Sequence, residues 1–142
     1  MKKTKAQSKS GLRKIILKCD LSPGDITMLA AAVRDLKRAH SNFLVDVRTS
    51  VPQIWENNPH LTKLDEKDPD VEVYKTEYPL IHSSNSRPYH FIHGYAMHLE
   101  EILDVKIPVT EFKGDVHMSD IEKTWMSQVQ EIGVFQDFWI LM

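Results

Sequence analysis

The residues best placed to do chemistry are Ser22, Gly24 and Asp25, in the run Ser22-Pro23-Gly24-Asp25. Just before them, Ile15, Ile16 and Leu17 form a short apolar run flanked by charge, the pattern of a strand covered on both faces. A capping Ser, Pro at the first helical position and an acid three residues after the cap make a helix-start signature. In an open parallel sheet, ligands bind just beyond the carboxyl ends of the strands, and Asp25 falls there. The positive end of a helix favours the carboxylate anion, and a carboxylate can take up a proton in general base catalysis. The same spacing also fits a capping box in which Asp25 only completes the cap of Ser22. Gly24 either lets a ligand approach the backbone closely or answers a conformational requirement of the turn.

Other candidates follow along the chain. Arg48 ends a second apolar run, Phe43 to Val47, and so belongs at the same sheet edge as Asp25. Its planar donor fork suits a phosphate or carboxylate; an ion pair with Asp46 or Glu56 is the plainer role. His82, Asn85, Arg87, His90 and nearby His93 concentrate ligand-capable side chains in one loop and helix start. They suit hydrogen bonding to a ligand, or else capping and surface positions. No metal is expected from them: His90, His93 and His98 are spaced by three and five, and H-E-x-x-H is absent. Asp65, Glu66, Asp68 and Asp70 lack the glycine and final glutamate of a calcium loop and read as a solvated turn. Neither G-x-G-x-x-G nor a G-x-x-x-x-G-K-[ST] phosphate loop occurs, and no cofactor is expected.

The elements that must position these residues are legible as periodicity. Met28, Leu29, Ala32, Val33 and Leu36 lie on one face of a first helix, from Ile26 to Leu36. Phe43 to Val47 reads as a second strand, Val51 to Glu56 as a short helical turn, and Val71, Val73 and Tyr74 as a third strand. Asn57 to Asp70 is a polar connection with two prolines, with Leu61 and Leu64 as its anchors to the core. The loop from Thr76 to Pro88 is long enough to be functional or mobile. Phe91 to Leu103 is a second helix. A third is expected from Asp120 to Ile132, with Ser119 as cap, Glu122 completing a capping box and Gly133 as terminator.

At 142 residues, with 42% hydrophobic and 27% charged residues, the chain is one ordinary globular domain. A formal charge of −2 argues against a general affinity for nucleic acid. The single cysteine, Cys19, excludes an internal disulfide and fits a reducing compartment. No apolar run approaches the ~20 residues of a membrane span, and without a signal-peptide core the expected location is cytoplasmic. Residues 1–11, MKKTKAQSKSG, read as a disordered basic arm whose lysines are available to an anionic membrane surface. The folded domain is expected over 12–133, with 134–142 opening something further.

The order strand, S-x-G-D turn and helix with small residues in its middle resembles the start of family 9 glycosyltransferases, the ADP-heptose:lipopolysaccharide heptosyltransferases and their relatives. Ser22, Gly24 and Asp25 carry the resemblance, with Ala31-Ala32-Val33 where the family usually has Pro-Ala-Leu. The words DVRTSVPQIWENNPHLT and YPLIHSSNSRPYHFIHGYAMHLEEIL are similar to a subgroup of it. The resemblance spans roughly residues 12–142, with Met28 where heptosyltransferases often have His. It implies a Rossmann-like, mainly parallel sheet flanked by helices, as in the amino-terminal domain of a GT-B glycosyltransferase. That half binds the glycan or lipid-linked acceptor and supplies an acidic base, for which Asp25 stands. Ser22, Gly24, Arg48, His82, Asn85, Arg87, His90 and His93 are the expected acceptor-binding residues. The nucleotide-sugar donor belongs to a second domain, of which Phe138 to Met142 reads as the opening strand, free to self-associate. By this comparison the chain lacks the donor domain and does not transfer sugar alone. A peripheral position at the inner membrane face is compatible with it.

A different class of function fits the same elements: a small α/β binding or regulatory module without chemistry. A receiver-like domain is its concrete form, since Asp20 and Asp25 lie near the end of the first strand. Against it, the third strand ends in Tyr74-Lys75 and not in a phosphorylatable Asp.

Overall fold

A computed structural model describes residues 11–78, 80, 82–83 and 86–136. The basic arm except Gly11, the terminal run Phe138 to Met142, and Asn85 lie outside the described residues. Strands β1 (Arg13–Cys19), β2 (Phe43–Thr49) and β3 (Val71–Lys75) form a three-stranded parallel sheet in the order β2-β1-β3. The first strand is therefore central, as its apolar run implies: Ile15, Ile16 and Leu17 are fully buried. The register places Ile15 between Val45 and Glu72, and Leu17 between Val47 and Tyr74. The class is α/β, with the Rossmann-like trait of parallel strands joined by a helical crossover.

Helix α1 (Pro23–Ala39) starts where the Ser-Pro signature puts it. The Ser22 hydroxyl accepts from the Asp25 N–H, and Lys37 and Arg38 close the last turn, where cations suit the negative end of the helix. It buries Ile26, Leu29, Val33 and Leu36 against the sheet side of the core. Each large side chain so removed from water is worth roughly 1.5–3 kcal/mol. Helix α2 (Phe91–Leu103) ends at Asp104 in the left-handed conformation, φ 54°, and packs on α1. At Gly94 a Cβ would lie 2.1 Å from the Tyr78 ring, so the missing side chain is what admits that ring. Tyr78 stacks on Phe91 at 5.1 Å and lies 5.6 Å from Tyr95.

Helices α1 and α2 share one face of the sheet. Ile15, Leu17 and Cys19 share a single core with residues of α1 and α2. On the other face, Lys14 and Lys18 reach Asp68 and Glu66 at 2.7 and 2.6 Å. The polar connection between β2 and β3 thus covers the side where a flanking helix was expected; its prolines and acids suit it to a charged lid, not to a crossover helix. Leu61 anchors it, bridging Val45 and packing against the core. Leu64 is held instead through its backbone, donating to Asp46 Oδ2 at 2.9 Å and accepting from Arg48 at 3.0 Å.

A long helix over Asp120 to Ile132 does not form. The segment contains a 3-10 turn (Glu122–Thr124), an extended Trp125 and a single helical turn α3 (Gln128–Glu131). The expected capping box forms, Ser119 and Glu122 exchanging hydrogen bonds of 2.6 and 3.2 Å, and Ser127 and Gln130 form a second box that was not expected. The second starts a new turn inside the expected helix. Among the described residues the apolar stripe also finds no surface to pack on, with Ile121, Trp125 and Ile132 at 72%, 68% and 79% exposure. Helices of this length draw their stability from a buried face.

Among the described residues no helix is long and apolar enough to cross a membrane.

Candidate functional site

Asp25 sits on the first turn of α1, beyond the carboxyl end of β1, and is half-buried. The Ser22 hydroxyl donates to Asp25 Oδ2 at 2.6 Å and accepts from the Asp25 N–H at 3.5 Å. Asp25 is thus part of the cap, yet its Oδ1 makes no hydrogen bond among the described residues. Gly24 lies beside it with helical backbone, and a Cβ there would meet only Ser22 Oγ, at 4.0 Å. No conformational demand explains this glycine; what it leaves is open space next to the carboxylate.

Tyr95 lies within electrostatic reach of Asp25. Tyr95 is fully buried and its hydroxyl has no hydrogen bond. Burial first, then the charges of Asp25, Cys19 and Tyr78, push this phenol well above the ordinary tyrosine range, so it stays protonated as a donor. Tyr78 Oη, His93 Nδ1 and Thr49 Oγ1 are likewise buried and unpaired. Thr49 ends β2 directly beside Cys19 in the sheet register. Buried polar groups are normally satisfied, and these atoms are exceptions to that rule.

The other expected residues are distributed around this point. His90 caps α2, its Nδ1 accepting from the Ile92 N–H at 3.2 Å. The His90 and His93 rings both lie edge-on to Phe112, at 5.3 and 5.0 Å. His82 and Arg87 are exposed, and Arg87 bonds Ser83 through its backbone at 2.9 Å. Arg48 is engaged on the loop-covered face, paired with Asp46 at 2.8 Å and donating to Leu64 O. The structure brings Tyr78, Tyr95 and Cys19 within electrostatic reach of Asp25 or its neighbours, and sends Arg48 to the opposite face of the sheet. The tyrosines carry no motif: Tyr95 falls on the apolar face of the second helix, and Tyr78 lies in the loop from Thr76 to Pro88.

A second cluster lay beyond sequence reasoning. His60, Asp115 and His117 present three ligand-type atoms within 4.8 Å of one another. Asp115 Oδ2 is 3.0 Å from His117 Nε2 and 3.6 Å from His60 Nε2. Burial lowers the His60 pKa more than Asp115 raises it, so the ring is neutral at pH 7. The cluster exists because residues 105–117 fold back along α1. Gly114 allows that approach, since a Cβ there would lie 2.4 Å from Thr27 Cγ2.

No protein-family model, curated protein or solved structure matches this chain.

Proposed function

We propose that the chain is the acceptor-side domain of an inverting, nucleotide-sugar-dependent glycosyltransferase of the heptosyltransferase type, with Asp25 as its base. The observation that supports this best is Asp25 Oδ1, unpaired among the described residues, beside an open Gly24. An acceptor hydroxyl placed there gives its proton to Oδ1 while its oxygen bonds to the anomeric carbon. The bond from that carbon to the nucleotide diphosphate breaks, with the electron pair leaving on phosphate. Ser22 holds Oδ2 and so orients the free oxygen. Tyr95, fully buried and protonated, raises no competing charge beside the carboxylate. Holding both reactants in register needs a second, donor-binding domain across the cleft, so this domain by itself binds acceptor without turnover. A glycan or lipid-linked acceptor is consistent with a peripheral place at the inner membrane face.

The test is NMR titration of the purified chain with a panel of free and lipid-linked oligosaccharides, together with Asp25→Asn and an assay with nucleotide sugars. Binding is expected to perturb residues 22–25, Tyr78 and Tyr95, to weaken in the variant, and to proceed without sugar transfer. Perturbations confined to other surfaces, or no binding by any acceptor, would sink the proposal.

A further inference from the structure

We infer that His60, Asp115 and His117 form a binding site for a divalent transition-metal ion of the zinc type, ligated by His60 Nε2, Asp115 Oδ2 and His117 Nε2, with a fourth position open to water. The inference rests on neither Asp25 nor glycosyl transfer.

Geometry carries it first. Ligand atoms 2.0–2.2 Å from a tetrahedral ion stand roughly 3.3–3.6 Å apart. The carboxylate oxygen here is 3.0 Å from one imidazole nitrogen and 3.6 Å from the other, and all three atoms fall within 4.8 Å. The rings are steeply inclined, 76° between planes at 6.2 Å, so their edges converge on the carboxylate without stacking. Two imidazoles and one carboxylate are the donor set of open zinc sites.

The surroundings are those of a built site. Asn58 is buried, its Oδ1 accepts from the backbone N–H of His60 at 2.9 Å and its Nδ2 donates to Asp115 Oδ2 at 3.3 Å, so one amide ties the two ligand-bearing segments together. Asp115 Oδ1 faces the buried guanidinium of Arg34 at 3.9 Å, while Oδ2 is the oxygen that faces both imidazoles. Such neighbours orient ligands and tune affinity. The three side chains retain 23%, 12% and 33% exposure, enough for an ion to enter and keep a water. A hydrogen-bonded clasp would need only one histidine on Asp115; the second one, aimed at the same oxygen, is what a cation explains.

The experiment uses the full chain, stripped with a chelator and titrated with Co²⁺ and then Zn²⁺. One equivalent of Co²⁺ should produce the visible absorption of a low-symmetry four- or five-coordinate site, and Zn²⁺ should displace it. His60→Gln and His117→Gln should each weaken binding by at least about tenfold with unchanged far-UV circular dichroism. Because a variant can fail to fold, the imidazole NMR signals of the wild-type chain are followed as well, and those of His60 and His117 should shift together on adding Zn²⁺. Absence of stoichiometric binding, variants that bind as well as wild type, or shifts confined to other histidines would overturn the inference and leave the trio as a clasp.

Discussion

Arg34 and Asp35, adjacent in sequence, form a fully buried ion pair at 3.1 Å and grip the same returning segment at different points. Arg34 donates to the carbonyls of Glu111 and Lys113 at 2.9 and 3.1 Å, while Asp35 accepts from Thr110 N and Oγ1 at 3.1 and 2.6 Å. Removing one partner leaves a buried charge and several unmet polar groups. Arg34→Met is therefore expected to cost about 3–5 kcal/mol in urea denaturation and to loosen Asp115 and His117 as well. A loss below about 1 kcal/mol would show that the segment docks without this pair.

Gly94→Ala sets helix propensity against packing. Alanine gains about 1 kcal/mol in a helix interior, but its Cβ would stand 2.1 Å from the Tyr78 ring. That ring is confined by Phe91 and Tyr95 and cannot yield cheaply. Overpacking should win, with a net loss of about 1–3 kcal/mol and a lowered thermal midpoint. An unchanged or raised midpoint would contradict the packing described.

Asp25→Asn separates capping from chemistry. The Ser22 hydroxyl bonds the backbone N–H of residue 25, which the substitution keeps. Stability should change by less than about 1 kcal/mol, whereas Ser22→Ala should cost about that much by removing the cap. Acceptor binding should fall in the Asp25 variant although its fold is intact. Equal loss of fold and binding would reduce Asp25 to a cap.

Glu111 supplies an acid-sensitive fastening. Hydrogen bonds from Lys113, then Arg38, hold its carboxyl down to about 2 from an ordinary 4.5. The folded-state value is depressed, so the stabilisation is complete above 4.5 and is lost as pH falls toward 2. Urea midpoints measured across this interval should drop less for Glu111→Gln than for wild type, and high salt should shrink the difference. Parallel profiles for the two proteins would remove Glu111 from the account.

What the sequence revealed was local. β1, the cap at Ser22, α1 and β2 are each encoded in a few consecutive residues, so their places and the centrality of Ile15 to Leu17 were readable. The covering of one sheet face by a charged connection was not, because it depends on Lys14 and Lys18 meeting Asp68 and Glu66 across the chain. The third helix failed for a related reason: Ile121, Trp125 and Ile132 have helical spacing but no surface to cover among the described residues. Asp25 was found through its turn, while Tyr95 lies on a periodic helix face and Tyr78 in a loop without a pattern. His60 and Asp115 are brought together through long-range contacts such as those of Arg34 and Asn58 with Asp115, a meeting that no spacing rule contains.

The position of β1 between two partners that both follow it has a consequence for synthesis. Its pairing with β2 awaits Phe43 to Thr49, and its pairing with β3 awaits Val71 to Lys75. Arg13 finds Glu72 and the Leu103 carbonyl, at 2.7 and 2.6 Å, only when α2 has also emerged. The segment destined for the centre is thus among those kept waiting longest on the ribosome, with its backbone groups unpaired. Lys14 and Lys18, alternating with Ile16, act as gatekeepers over that interval, holding an otherwise sticky nascent strand apart from its neighbours.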